Sequence, residues 1–185
     1  MAILKIARMG HPVLTRSAAA VADPSAPEIR RLVADMIETM SDAEGLGLAA
    51  PQVHVAKRLV VFHTPHPGDE GEDEEDWSRL TVLVNPVVEA VGEAREDGWE
   101  GCLSVPGLRG LVSRYARVRY RGVTPDGEAI DRTVGGMHAR IVQHECDHLD
   151  GILYPMRMTD LSKLVFESET RHYRGGAAEG TEGDA

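Results

Sequence analysis

The sequence predicts an α+β fold, and three observations carry that expectation. An amphipathic helix stands near the start, short β-branched strands and a hairpin fill the middle, and a second helix bearing a metal-ligand pattern comes late. Strand and helix do not alternate regularly, which separates the chain from βαβ folds. The first helix opens at Asp23-Pro24-Ser25, where Ser25 and Glu28 have the spacing of a capping box. Ile29, Leu32, Val33, Met36, Ile37 and Met40 follow at helical spacing and form its core stripe, and Gly45 is the expected left-handed residue at its end. "RLVVFH" (58–63) and "LTVLVNP" (80–86) read as strands on either side of an acidic insertion. From 115 to 134 the chain alternates around Pro125-Asp126-Gly127, a hairpin signal that puts Arg117, Arg119 and Arg121 together on one solvated face. The second helix is expected from Gly135-Gly136 to about Gly151, and a last short helix over "TDLSKLVFESE" (159–169).

Composition bounds the rest. With 185 residues, 42% hydrophobic and 27% charged, residues 1–174 are expected to form a single catalytic domain interrupted by an acidic insertion at 66–77, with a disordered acidic tail at 175–185. The net charge of −10 sits in those appendages, because seven acids fall between Asp69 and Asp76 and three more in the tail. The remainder is formally neutral, which argues against a nucleic-acid-binding domain. No apolar run reaches the roughly 18 residues of a membrane helix, and "MAILKIARMGHPVL" lacks the features of a signal peptide. The expected location is cytoplasmic, and the two cysteines are read as thiols or metal ligands.

"VQHECDHLDG" (142–151) carries the chemistry. On a helix, His144 and His148 lie about 40° apart and one turn along, so both imidazoles can converge on one ion. Glu145 is placed to reach a water there and act as general base, whereas Cys146 points about 160° to 200° away and reads as core. A third ligand is required from elsewhere. Candidates are Cys102, in "EGCLSVPG" (100–107), and the downstream acids Glu167 and Glu169, which would complete a zincin-type endopeptidase site. A third histidine of the metzincin kind is excluded, since Tyr154 stands at that position. "GLGLAA" (45–50) matches a dinucleotide-binding pattern in letters only, because a helix precedes it and Pro51 follows. Its glycines offer a close backbone approach, and Gln52 adds an amide donor.

Together, "GLGLAAPQ", "EGCLSVP" and "QHECDHLDG", in this order and spacing, resemble the three signature motifs of the peptide deformylases. The resemblance runs from "GHPVLTRSA" to "GILYP" and implies antiparallel or mixed sheets packed around a central helix carrying the metal motif. It also implies hydrolysis of the N-formyl group from the initiator methionine of new polypeptides, with release of formate. Carried over by position, it implies a metal on Cys102, His144 and His148, with Glu145 moving the proton and Gln52 and the backbone N–H of Leu103 stabilising the oxyanion. Gly47 and Arg109 would hold the peptide, and Met137 and Ile141 would line a methionine pocket, with the charge of Arg140 near its rim. The implied cofactor is one divalent ion, Fe2+, with Zn2+ or Ni2+ able to substitute. Implied partners are N-formylmethionyl nascent peptides and, transiently, the ribosome; neither sequence-specific nucleic acid nor membrane is expected. Two other readings are an endopeptidase using Glu167 or Glu169 and a non-catalytic metal-binding module on the same fold.

Overall fold

The structure, a computed structural model, describes residues 2–64 and 79–173. The acidic insertion at 66–77 and the tail at 175–185 lie outside the described residues. Among the described residues, two helices, α1 (Pro27–Asp42) and α2 (Gly136–Leu149), accompany eight strands. The strands are β1 (Gly47–Ala49), β2 (Leu59–Thr64), β3 (Arg79–Ala90), β4 (Arg95–Cys102), β5 (Val105–Tyr115), β6 (Arg117–Val123), β7 (Ala129–Gly135) and β8 (Leu164–Phe166). One sheet runs β1-β2-β3-β6-β7 and a second β4-β5-β8, with antiparallel pairing throughout both.

The β1–β2 end of the larger sheet is buried on both faces, and that explains its apolar composition. Leu59 and Val61 of β2 face the core shared with Ile29, Val33, Met36 and Met40 of α1, whereas the alternate Val60 and Phe62 face the cluster with Ile141, Val142, Cys146 and Leu149 of α2. A strand covered on both faces reads as a continuous hydrophobic run, as "LVVF" does. The second sheet builds its own small core from Val105 and Val112 with Leu153 and Tyr154. α2 therefore runs between the sheets, in contact with β1, β2, β3, β6 and β7 on one side and β5 on the other. Among the described residues, no helix is long and apolar enough to cross a membrane.

Local expectations met different fates. The stripe of α1 and the hairpin around Gly127, at φ 82°, stand as read. Arg119 and Arg121 lie on the exposed face of β6, paired with Asp131 and Glu89. Ser25 does not cap α1: Asp23 takes both its N–H and its hydroxyl, and Pro27 starts the helix after Ala26. The left-handed residue after α1 is Glu44, at φ 53°, one position before Gly45. The expected last helix is instead β8 flanked by 3-10 turns at Leu161–Lys163 and Glu167–His172, because "LVF" pairs with the edge of β5.

Candidate metal centre

Three elements meet at the site: the tip of the β4–β5 hairpin, the inner face of α2, and the 3-10 turn Ala50–Val53 that follows β1. β4 ends at Cys102 after a bulge, and α2 presents His144 and His148 one turn apart, with ring centroids 5.0 Å from each other. Cys102 Sγ lies 3.4 Å from His148 Nε2, and the ligand atoms of all three residues fall within 4.8 Å of one another. Among the described residues this is the one His, Cys, Asp and Glu group arranged to hold an ion. Cys146 is buried on the opposite side against Ala49, Val60 and Phe62, as the helical angle requires.

Neither downstream acid reaches the group. The pairing of β8 carries Glu167 beside the start of β5, where it bonds Arg109 at 2.6 Å, and Glu169 meets Ser168 and His172. Among the described residues it is Cys102, and neither of these acids, that stands with the two imidazoles. One thiolate and two imidazoles suit a tetrahedral ion with a fourth position open.

Behind the triad lies a chain of buried charge. Glu100 accepts a hydrogen bond from His144 Nδ1 at 2.8 Å, which fixes the ring and leaves its Nε2 for an ion. The same carboxylate takes two bonds from Arg114 and one from Arg140, and Arg114 continues to Asp147, which Arg157 holds from outside. Burial pushes the Glu100 carboxyl up, but bonds from Arg114 and His144 outweigh it and hold the group well below the usual carboxylate range. Burial likewise disfavours the charged Arg114, and Glu100 and Asp147 more than compensate. His144 is pulled down by burial, yet Cys102 and Glu100 raise its proton affinity well above the ordinary value. The Cys102 sulfur and the carboxyls of Glu100 and Glu145 thus crowd the imidazoles, an arrangement that suits a cation.

Arg140 departs from expectation. It is not a rim charge but is buried, donating to the Glu96 and Val112 carbonyls as well as to Glu100. Gly98 makes room for it, since a Cβ there would lie 2.6 Å from the guanidinium carbon. Glu100, Arg114 and Asp147 escaped the sequence reading, although two of them stand inside the motifs that carry the ligands. Tyr154, the position that excluded a third histidine, stacks on His144 with centroids 6.2 Å apart.

The remaining residues fall around this frame. Glu145 is buried, and burial raises its carboxyl to about 7; among the described residues Oε2 has no hydrogen-bond partner. Gly47 lies against that carboxylate, where any Cβ would collide with it. Gln52 is fixed by the Ala49 N–H donating to its Oε1 at 2.8 Å, which turns its amide nitrogen toward Ser104 Oγ at 3.1 Å and Cys102 Sγ at 3.5 Å. Leu103 follows the ligand cysteine at the hairpin tip and rests on Gly45. Ile141 is buried one turn before Glu145, Met137 is exposed near the start of α2, and Arg109 is tied to Glu167 beside Gly101.

Known proteins similar to this chain are numerous. The family model described as polypeptide deformylase matches residues 3–164. "Peptide deformylase 1" of Bordetella pertussis is 54% identical over 161 residues, 87% of this chain and 90% of its own, and its namesake in Nitrosomonas europaea is 50% identical over 164 residues, 89% and 92% of the two chains. Among solved structures, a class I type b peptide deformylase from Acinetobacter baumannii with Met-Ala-Ser bound superposes with a TM-score of 0.76 at 36% identity, covering 84% of this chain and 98% of that one.

Proposed function

The chain belongs to the polypeptide deformylase family and is a peptide deformylase, a metalloenzyme acting on N-formylmethionyl nascent peptides, and from that premise we propose which of its residues perform the hydrolysis. Cys102, His144 and His148 hold one divalent ion, Fe2+ in the cell, with Zn2+ or Ni2+ able to take its place. When bound, the ion supplies Lewis-acid activation of water and polarisation of the formyl carbonyl. Glu145 accepts the proton of the attacking water and delivers it to the departing amine, so that formate and a free α-amino group result. The amide nitrogen of Gln52 and the N–H of Leu103 face the oxygen on which negative charge develops. Gly47 and Arg109 hold the peptide, and Ile141 with Met137 borders the methionine side chain. Residues 1–174 form the catalytic unit, which works in the cytoplasm and meets the ribosome transiently.

One observation supports these roles above the others: Glu145 Oε2 is buried and unpartnered beside the Cys102, His144 and His148 group, a costly position for a carboxylate with only a structural role. The test is formate release from formyl-Met-Ala-Ser by Glu145→Ala. Near-stoichiometric metal with turnover reduced at least a hundredfold is expected, in keeping with the roughly 10²–10⁴ that positioned acid–base groups contribute. Retained turnover would assign the proton to another group.

A further inference from the structure

We propose that a groove along the N-terminal segment binds the nascent chain downstream of the residues held at the metal centre, so that the enzyme discriminates among substrates by length and by apolar character from about the fourth residue onward. The proposal rests on the deformylase reading above. The groove, of about 830 Å³, lies between residues 3–8, the end of α1 at Asp42 and Ala43, and the hairpin tip at Leu103 and Pro106.

Continuity with the catalytic site identifies the occupant. Leu103 belongs to both places: it lines the groove, it is bonded to the ligand residue Cys102, and its side chain rests on Gly45, two residues before Gly47. The substrate is a polypeptide that continues past its formylmethionine, and this surface begins one residue from a ligand. The N-terminal segment is moored rather than loose. Leu4 N–H donates to Thr39 Oγ1, Ala7 N–H to the Gln52 carbonyl and Met9 N–H to the Ser104 carbonyl, so the groove wall is tied to the oxyanion-side residue and to the hairpin alike.

Its chemistry suits an unfolded chain. Ile3 is 56% exposed, and Leu4, Ile6 and Leu103 are half-buried, which leaves aliphatic surface for unfolded apolar residues. Lys5 and Arg8 outnumber Asp42 along the lining, so a basic segment would be disfavoured. Six extended residues span about 20 Å, so a peptide some six residues longer than formyl-Met-Ala-Ser is needed to lie along residues 3–8.

The experiment compares formate release from formyl-Met-Ala-Ser with release from three nonapeptides that extend it by six residues: a Leu/Ala/Val segment, a Gly/Ser segment, and the apolar segment with two lysines. For the wild-type enzyme KM for the apolar nonapeptide should be about five- to tenfold below that for the tripeptide, roughly the effect of covering one or two apolar side chains, with kcat unchanged. The Gly/Ser nonapeptide should match the tripeptide. Ile3→Asp should raise KM for the apolar nonapeptide to the tripeptide value and leave the tripeptide itself unaffected, and Lys5→Glu should relieve the penalty on the lysine-bearing peptide. Equal KM for all peptides would overturn the proposal, as would an Ile3→Asp effect of the same size on the tripeptide. Sedimentation showing that Ile3→Asp abolishes a dimer would assign the groove to a second copy of the chain and overturn it too. Absence of formate from every peptide would instead count against the deformylase reading.

Discussion

At Gly47 the missing side chain is what admits the Glu145 carboxyl. A Cβ there would lie 2.6 Å from Glu145 Cδ, so Gly47→Ala must displace the group expected to carry the proton. A displacement near 1 Å costs on the order of a hundredfold in rate. Gly47→Ala should keep its metal and its melting midpoint while kcat on formyl-Met-Ala-Ser falls about ten- to a hundredfold; loss of metal in parallel would show that the glycine serves the fold instead. Several residues were legible at this scale from helix geometry alone, including the convergence of His144 and His148 and the outward turn of Cys146. Arg140 was not. Its partners Glu96, Glu100 and Val112 are supplied by strands 28 to 44 residues away, and no local pattern announces them.

Elements are held in register by Arg114, which reaches from β5 to Glu100 on β4 and to Asp147 on α2. Its side chain and that of Glu100 are 5% and 4% exposed, so truncation takes a buried counterion from Glu100 and Asp147, which keep only Arg140 and Arg157. Arg114→Met should lose about 3–5 kcal/mol, the usual penalty for breaking a buried pair. Arg157→Met should lose about 0–1 kcal/mol, because a side chain 44% exposed is screened by water. Urea unfolding of both variants measures the difference, and equal losses would mean that the network is not organised around Arg114. The sequence showed α1 through its apolar stripe and α2 through its ligands, since both signals are local. It misread the chain after Thr159, where pairing with the edge of β5 overrides a helical pattern, and it misplaced the start of α1, where Asp23 claims the side chain expected to cap it.

For the molecule as a whole, the proposed ligand set joins the second sheet to the helix packed on the first, because Cys102 closes β4 whereas His144 and His148 belong to α2. An ion bound there stabilises the folded state by mass action, about 4 kcal/mol at a thousand times Kd. Its removal by a chelator should lower the melting midpoint by about 10 °C, with recovery on adding Zn2+. An unchanged midpoint would mean that the ion does not bridge these elements. The α+β class was legible because motif order and the absence of βαβ alternation are written along the chain. The order β1-β2-β3-β6-β7, from which β4 and β5 depart to a second sheet, was not, because strand pairing across such separations is decided by tertiary packing.

The most direct test of the metal centre compares two cysteines that the structure places on opposite sides of α2. Cys102→Ser and Cys146→Ser are purified without oxygen, and bound metal is measured beside formate release from formyl-Met-Ala-Ser. The expected result is loss of both in Cys102→Ser, because an alcohol is a weak ligand beside a thiolate, and retention of both in Cys146→Ser. Equal loss of metal in the two variants, or full metal content in Cys102→Ser, would contradict a centre built on Cys102, His144 and His148.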